Sequence, residues 1–201
     1  MNCRVVVLDI YRTKRNKNKK IQNEYVDLSK TFKLEKFFKR IIKKHGMADI
    51  FINASYPRTK DWKKNSFQKI NLKSFESNIK IHLNSYTWCS KIIAENMVKN
   101  KINGSIINLS SIADRLILPE SFAYSICAAS VNQLTKSLAV TLADKGIRVN
   151  AIAMGSIMST TLKEMIREDL DSHDQVKEAT PLKRIGETSE AASAVLYLAS
   201  P

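Results

Sequence analysis

The chain has 201 residues, 44% of them hydrophobic, with 33 Lys and Arg against 19 Asp and Glu for a formal charge of +14. That length fits one domain with a sizeable core, and no run reaches the roughly 18 apolar residues of a membrane span. The lysines are spread along the whole chain among Asn and Ile, without zinc-finger spacing or a basic helix with interleaved aromatics, so the charge reads as a solvated surface and not as a specific nucleic-acid module.

Met1-Asn2-Cys3-Arg4 enters an apolar strand at once, unlike a signal peptide. Cys3, Cys89 and Cys127 are odd in number, scattered and without metal-ligand spacing, which points to a reduced, cytoplasmic setting. His45, His82 and His173 have no neighbouring ligand set, so no metal site is expected.

In chain order, Val5-Val6-Val7-Leu8 is a β-branched run that ends at Asp9, followed by the cations Arg12, Lys14 and Arg15. Thr13 to Gln22 is almost wholly polar and predicts an exposed loop or frayed helix, and Tyr25-Val26-Asp27-Leu28 predicts the next strand. Phe32, Leu34, Phe37, Phe38, Ile41 and Ile42 fall at helical spacing between Thr31 and His45, with Gly46 as the stop; these residues predict a core face. Asp49 to Ala54 predicts a buried strand. A long helical pattern runs from about Leu72 to Asn100 and contains Asn84; His82, two residues earlier, is expected on another face.

Ile106-Ile107-Asn108-Leu109 predicts a buried strand stopping at Ser110 and Ser111. Thirteen residues beyond Ser111, Tyr124 opens a helix whose apolar face is Cys127, Val131, Leu134, Leu138 and Leu142. A hydroxyl at a strand end and a phenol in the next helix's first turn can converge for proton transfer, provided something lowers the phenol from its ordinary pKa of about 10. Ile147 to Ala153 predicts another strand after Gly146, Thr160 to Val176 a polar helical region, and Ser189 to Ala199 a last helix capped by Thr188 or Ser189 with Glu190 nearby.

These words together resemble the short-chain dehydrogenase/reductases, whose signature is Ser, about a dozen residues, then Tyr-x-x-x-Lys. Ser111, Tyr124, INLSS and VNQLTKSLA match, but the fourth residue after Tyr124 is Ala128 and not lysine. Lys136 cannot replace it, being about 18 Å further along the helix. DIFINA resembles the family's D-I-L-V-N-N-A, and RVNAIAMG its R-V-N-A-I-A-P-G with Met154 for proline.

The resemblance implies an α/β fold, a Rossmann-like doubly wound parallel sheet. Only eight residues precede Asp9, and the five glycines (Gly46, Gly104, Gly146, Gly155, Gly186) contain no pair for a pyrophosphate-binding turn. The expectation is therefore one partial domain over 1–201, lacking the first βα unit and the last strand, and poorly soluble by itself. The resemblance also implies catalytic roles for Asn84, Ser111 and Tyr124, with Asn84 holding a water of the proton relay. Asp9 would take the adenosine ribose, Asp27 the adenine, and Ile157 and Ser159 the nicotinamide carboxamide; Asn53 would steady the central strands beside the cofactor by bonds to neighbouring backbone.

Asp9 favours NAD(H) over NADP(H), although the following cations could serve a 2′-phosphate. The implied partner is a small carbonyl or alcohol substrate, with homo-oligomers formed through the long central helices. The loop INASYPRTKDW resembles a subgroup that modifies flagellin and sialic-acid-like sugars. Two functions stay open: hydride transfer between NAD(P)(H) and a carbonyl or alcohol, or a catalytically inactive relative that has lost its cofactor contacts.

Overall fold

The computed structural model describes residues 3–11, 18–55, 59, 65–116, 119–168 and 170–201, with the side chains of 161, 165, 167, 168 and 170–173 outside the description. Arg12, Lys14 and Arg15, and Tyr56, Pro57 and Arg58 of the sugar-subgroup loop, also lie outside the described residues.

Among the described residues, five parallel strands fall into two sheets. β1 (Val5–Asp9) pairs with β2 (Ile21–Tyr25) from Val5–Ile21 to Asp9–Tyr25. β3 (Ile50–Asn53), β4 (Ser105–Ser111) and β5 (Arg148–Met154) form the other, in that order, with Asn53 beside Asn108 and Ser111 beside Met154. Nearly all of β4 is buried, as expected of a central parallel strand covered on both faces. The second strand is thus Ile21–Tyr25, earlier than its apolar-looking neighbour segment predicts, and Asp27 lies beyond its end.

β2 runs from the end of the polar stretch Thr13 to Gln22 to the first residue of the predicted strand, and its one buried residue is a carboxylate. Glu24 is buried, and its Oε1 lies 2.7 Å from both Lys44 Nζ and His45 Nε2 at the end of α1 (Leu34–His45). Arg40 Nη2 stands 3.7 Å away, and Arg4 donates to the His45 carbonyl. Charged partners take the place of apolar contact here.

A 3₁₀ turn, Thr31–Lys33, precedes α1 and swings Phe32 out to 80% exposure, against its expected place in the core. Leu34, Phe37, Phe38 and Ile41 do pack inward, against Phe51 of β3, Ile106 of β4 and Val149 of β5. Cys89, Ile92, Ile93 and Met97 of α3 (Asn84–Lys99) complete this core, with Leu8 of β1 at its margin. Gly46 and Gly146 take positive φ (86° and 69°), which ends the preceding helical turns as predicted.

The long helical pattern is interrupted. α2 (Leu72–Asn78) passes into a π-helical segment, Ile79–Leu83, before α3 begins at Asn84. α4 (Phe122–Leu142) buries Cys127, Val131 and Leu142 and half-buries Leu134 and Leu138. α5 (Thr160–Glu168) and α6 (Leu170–Ala179) follow. α7 (Thr188–Ala199) is capped by Glu187, not by a hydroxyl: its carboxylate takes the Glu190 amide while Glu190 accepts from Glu187 N–H at 2.7 Å. No helix among the described residues is long and apolar enough to cross a membrane.

Candidate active site

Asp9, Asn53 and Ser111 each stand at the carboxyl end of a parallel strand, with Asn53 paired to Asn108, three residues before Ser111. That edge is where open α/β sheets bind ligands. Ser111 is the last residue of β4, is buried, and accepts from Ala113 N–H at 3.2 Å. Its hydroxyl is also hydrogen-bonded to Tyr124, the third residue of α4. The predicted convergence of hydroxyl and phenol is present.

Among the described residues no cation lowers the pKa of that phenol. Burial raises the Tyr124 pKa above its ordinary value of 10.0; the Ser111 bond lowers it, and the Cys127 thiolate would raise it further. Ala128, where a lysine would stand, is 1% exposed, and its carbonyl accepts from Ser110 Oγ at 3.2 Å. At neutral pH Tyr124 is a protonated hydrogen-bond donor.

His82 is the residue that sequence reasoning missed. Its ring stacks on Tyr124, with centroids 5.5 Å apart and planes at 25°, and meets Tyr86 edge-on at 5.3 Å. Burial pushes its imidazolium pKa down to about 4, so the ring is neutral at physiological pH. His82 lies in the π-helical segment Ile79–Leu83, and its ring faces Tyr124 of α4. The Cys127 thiol is pushed up to about 11 by burial, opposed by a bond to the Leu83 backbone, which joins the two segments.

The other implied residues have separate surroundings. Asn84, half-buried at the start of α3, lines a concavity of about 410 Å³ with Thr31, Phe75, Glu76, Ile79 and Lys80; Ser111 and Tyr124 are not among its lining residues. Asp9 Oδ1 accepts from Tyr11 N–H at 3.0 Å. Burial raises the Asp27 carboxyl, but Ser29 hydroxyl and amide donors and the Lys30 ammonium at 3.4 Å outweigh it and hold the group below its ordinary value. Asn53 is 2% exposed and donates to the Tyr86 carbonyl at 3.3 Å, so its backbone partner lies on a helix and not on a strand. Ile157 bridges to Gly186, and Ser159 Oγ accepts from Leu162 N–H at 3.2 Å as the cap of α5.

This donor set fits the two ends of a dinucleotide better than its middle. Carboxylates after β1 and β2, Asn53 at β3 and Ser159 after β5 suit nucleoside and amide groups, and the buried hydroxyls of Ser55 and Thr59, just past β3, have no partner among the described residues. The isolated glycines provide no turn for the pyrophosphate, and Ala128 no ammonium for a ribose.

The family model described as enoyl-(acyl carrier protein) reductase matches residues 1–201. The chain is 32% identical over 174 residues to the 3-oxoacyl-[acyl-carrier-protein] reductase FabG of Staphylococcus epidermidis, covering 87% of this chain and 68% of that protein. It is 30% identical over 173 residues to an uncharacterized oxidoreductase of Schizosaccharomyces pombe, covering 86% and 65%. The chain thus spans about two thirds of the length of these relatives. Among solved structures, an ElxO variant with NADPH bound superposes with a TM-score of 0.82 at 27% identity, over 90% of this chain and 72% of that one. A 4-hydroxyisoleucine dehydrogenase complexed with NADH gives 0.77 at 26% identity, over 98% and 79%. With its parallel strands, its Ser111–Tyr124 pair and these matches, the chain belongs to the short-chain dehydrogenase/reductase family of oxidoreductases.

Proposed function

We propose that this chain carries the proton-transfer half of a nicotinamide-dependent reductase acting on a small carbonyl compound. The observation that carries the reading is the hydrogen bond between the Ser111 hydroxyl and the protonated Tyr124 phenol at the carboxyl end of β4. Both hydroxyls suit a carbonyl oxygen, with Tyr124 giving up its proton as the oxygen becomes a hydroxyl. A phenol held above its ordinary pKa serves as a donor and is a poor base, so reduction is favoured over alcohol oxidation at neutral pH.

The nicotinamide, when bound, supplies the hydride. Asp9 would hold ribose hydroxyls and repel a 2′-phosphate, which supports NAD(H) over NADP(H). Asp27 would meet the adenine, Asn53 holds the strand end beside it, Ile157 and Ser159 would meet the carboxamide, and Asn84 would hold a water that returns a proton to Tyr124. A sugar precursor is the substrate class that the INASYPRTKDW loop supports. Residues 1–201 act as one domain in the cytoplasm, and the exposed Trp88 and Val98 of α3 with Phe122, Ile126 and Val140 of α4 support self-association through those helices.

A second reading, a catalytically silent family member, is favoured by the buried Ala128. One assay separates the two. The purified chain is mixed with NADH or NADPH and a panel of ketoses, diketones and 3-oxoacyl thioesters, and loss of reduced nicotinamide absorbance is followed. Turnover that disappears in Tyr124→Phe supports the reductase; fluorescence titration without binding of either nucleotide supports the silent protein.

A further inference from the structure

His82 is one of the few buried ionisable side chains here that forms no ion pair among the described residues, and it sits between two tyrosines. On one side its ring lies over Tyr124 at 25°; on the other, Tyr86 meets it at 66°. Tyr86 is itself fixed at both ends. Its hydroxyl donates to the Ser55 carbonyl at 3.0 Å, and its own carbonyl accepts from Asn53 Nδ2 at 3.3 Å. A continuous run of rings therefore joins the carboxyl end of β3 to the hydroxyl pair at the end of β4.

We infer that His82 is a positioning residue: its ring holds the Tyr124 phenol at Ser111 and fixes that pair relative to the carboxyl end of β3 through Tyr86. A phenol at the start of a helix has freedom to swing about its side-chain torsions. Ser111 restrains the hydroxyl alone, and Ala128 is too short to reach it. A flat partner against the ring face removes the remaining freedom, since offset or edge-on aromatic contacts at these separations are directional. His82 sits in the π-helical turn, and the Cys127–Leu83 bond holds that turn against α4. His82 works by shape, because as a buried neutral ring it carries no charge for the phenol to feel.

The inference deepens the reading of Tyr124 as the proton donor, and its test needs neither cofactor nor substrate. Tyr124 is titrated by phenolate difference absorbance in the full chain, each trace being corrected by the same chain carrying Tyr124→Phe. His82→Phe keeps a flat ring and should leave the midpoint in place. His82→Gln keeps the size and polarity but loses the ring, and should move the midpoint toward an ordinary phenol by about half a unit or more as water reaches the exposed face. Equal midpoints in the Phe and Gln variants would overturn the inference. Should His82→Gln lose its cooperative melt, nuclear Overhauser contacts between the His82 and Tyr124 rings in the unaltered chain decide instead: their presence supports the stack and their absence rejects it. Turnover with no midpoint shift would reject the role of His82 and keep the reductase. A midpoint shift with no turnover on any carbonyl would do the reverse.

Discussion

The hydroxyl of Ser110 donates to the carbonyl of Ala128 at 3.2 Å and pins the second turn of α4 against β4. The position where the family places its lysine is therefore packed shut. Ala128→Met should destabilise the fold by about 1–3 kcal/mol through overpacking. Ala128→Lys should cost more, because an ammonium must also be desolvated, while lowering the Tyr124 phenol pKa if the charge stays near it. Urea unfolding of both variants, with phenolate absorbance on the lysine variant, checks the order of stabilities and the direction of the shift.

Ser111 lowers the phenol pKa against burial. Ser111→Ala should therefore move Tyr124 further above its ordinary value, and Ser111→Thr should restore the bond. Both directions are measurable by the same absorbance titration, with no bearing on turnover.

The Glu24 cluster predicts a pH-dependent contribution to stability. Hydrogen bonds from Lys44 and then His45 hold its carboxyl below the ordinary value of 4.5, with burial opposing them. A depressed folded pKa means that the stabilisation is complete above the unfolded value and is lost as pH falls through the folded one. Glu24→Gln should cost about 1–2 kcal/mol at neutral pH, toward the low end for charged hydrogen bonds because Lys44 and Arg40 remain solvent-exposed. The difference between parent and variant should shrink as the pH drops below 4.5, which denaturant melts at several pH values would follow.

Asn108, fully buried in the middle of β4, accepts from Ser90 of α3 at 3.3 Å and donates to Thr135 of α4 at 3.0 Å. It crosslinks the two long helices through the sheet. Asn108→Ala should leave both hydroxyls with a lost partner, at about 1–3 kcal/mol for each group left unsatisfied. Adding Ser90→Ala and Thr135→Val should recover part of that loss, and a triple-mutant melt would measure how much.

What the sequence made legible followed from local pattern. The β-branched run of β1, the helical spacing of Leu34, Phe37, Phe38 and Ile41, and the Ser111-to-Tyr124 interval each have a near-neighbour physical cause. β2 was hidden because Glu24 finds its partners on the far end of α1, a relation that composition does not encode. Phe32 was misplaced because a tight 3₁₀ turn breaks the helical phase just before α1. The α7 cap went to Glu187 and not to the neighbouring hydroxyls because Glu190 reaches back to it and also pairs with Arg184 at 2.7 Å. His82 escaped notice because it was weighed only as a metal ligand, whereas its partners are the rings of Tyr86 and, on another helix, Tyr124.

That turn, Ile79–Leu83, behaves like a single-residue insertion that the helix has absorbed without unwinding. Deleting one residue within it would leave a chain well able to form uninterrupted α-helix. The two halves would keep much the same phase, because the wide turn already takes up the extra residue. Relatives one residue shorter at this place can therefore share side-chain directions on both sides of it, with only the residues of the turn itself displaced.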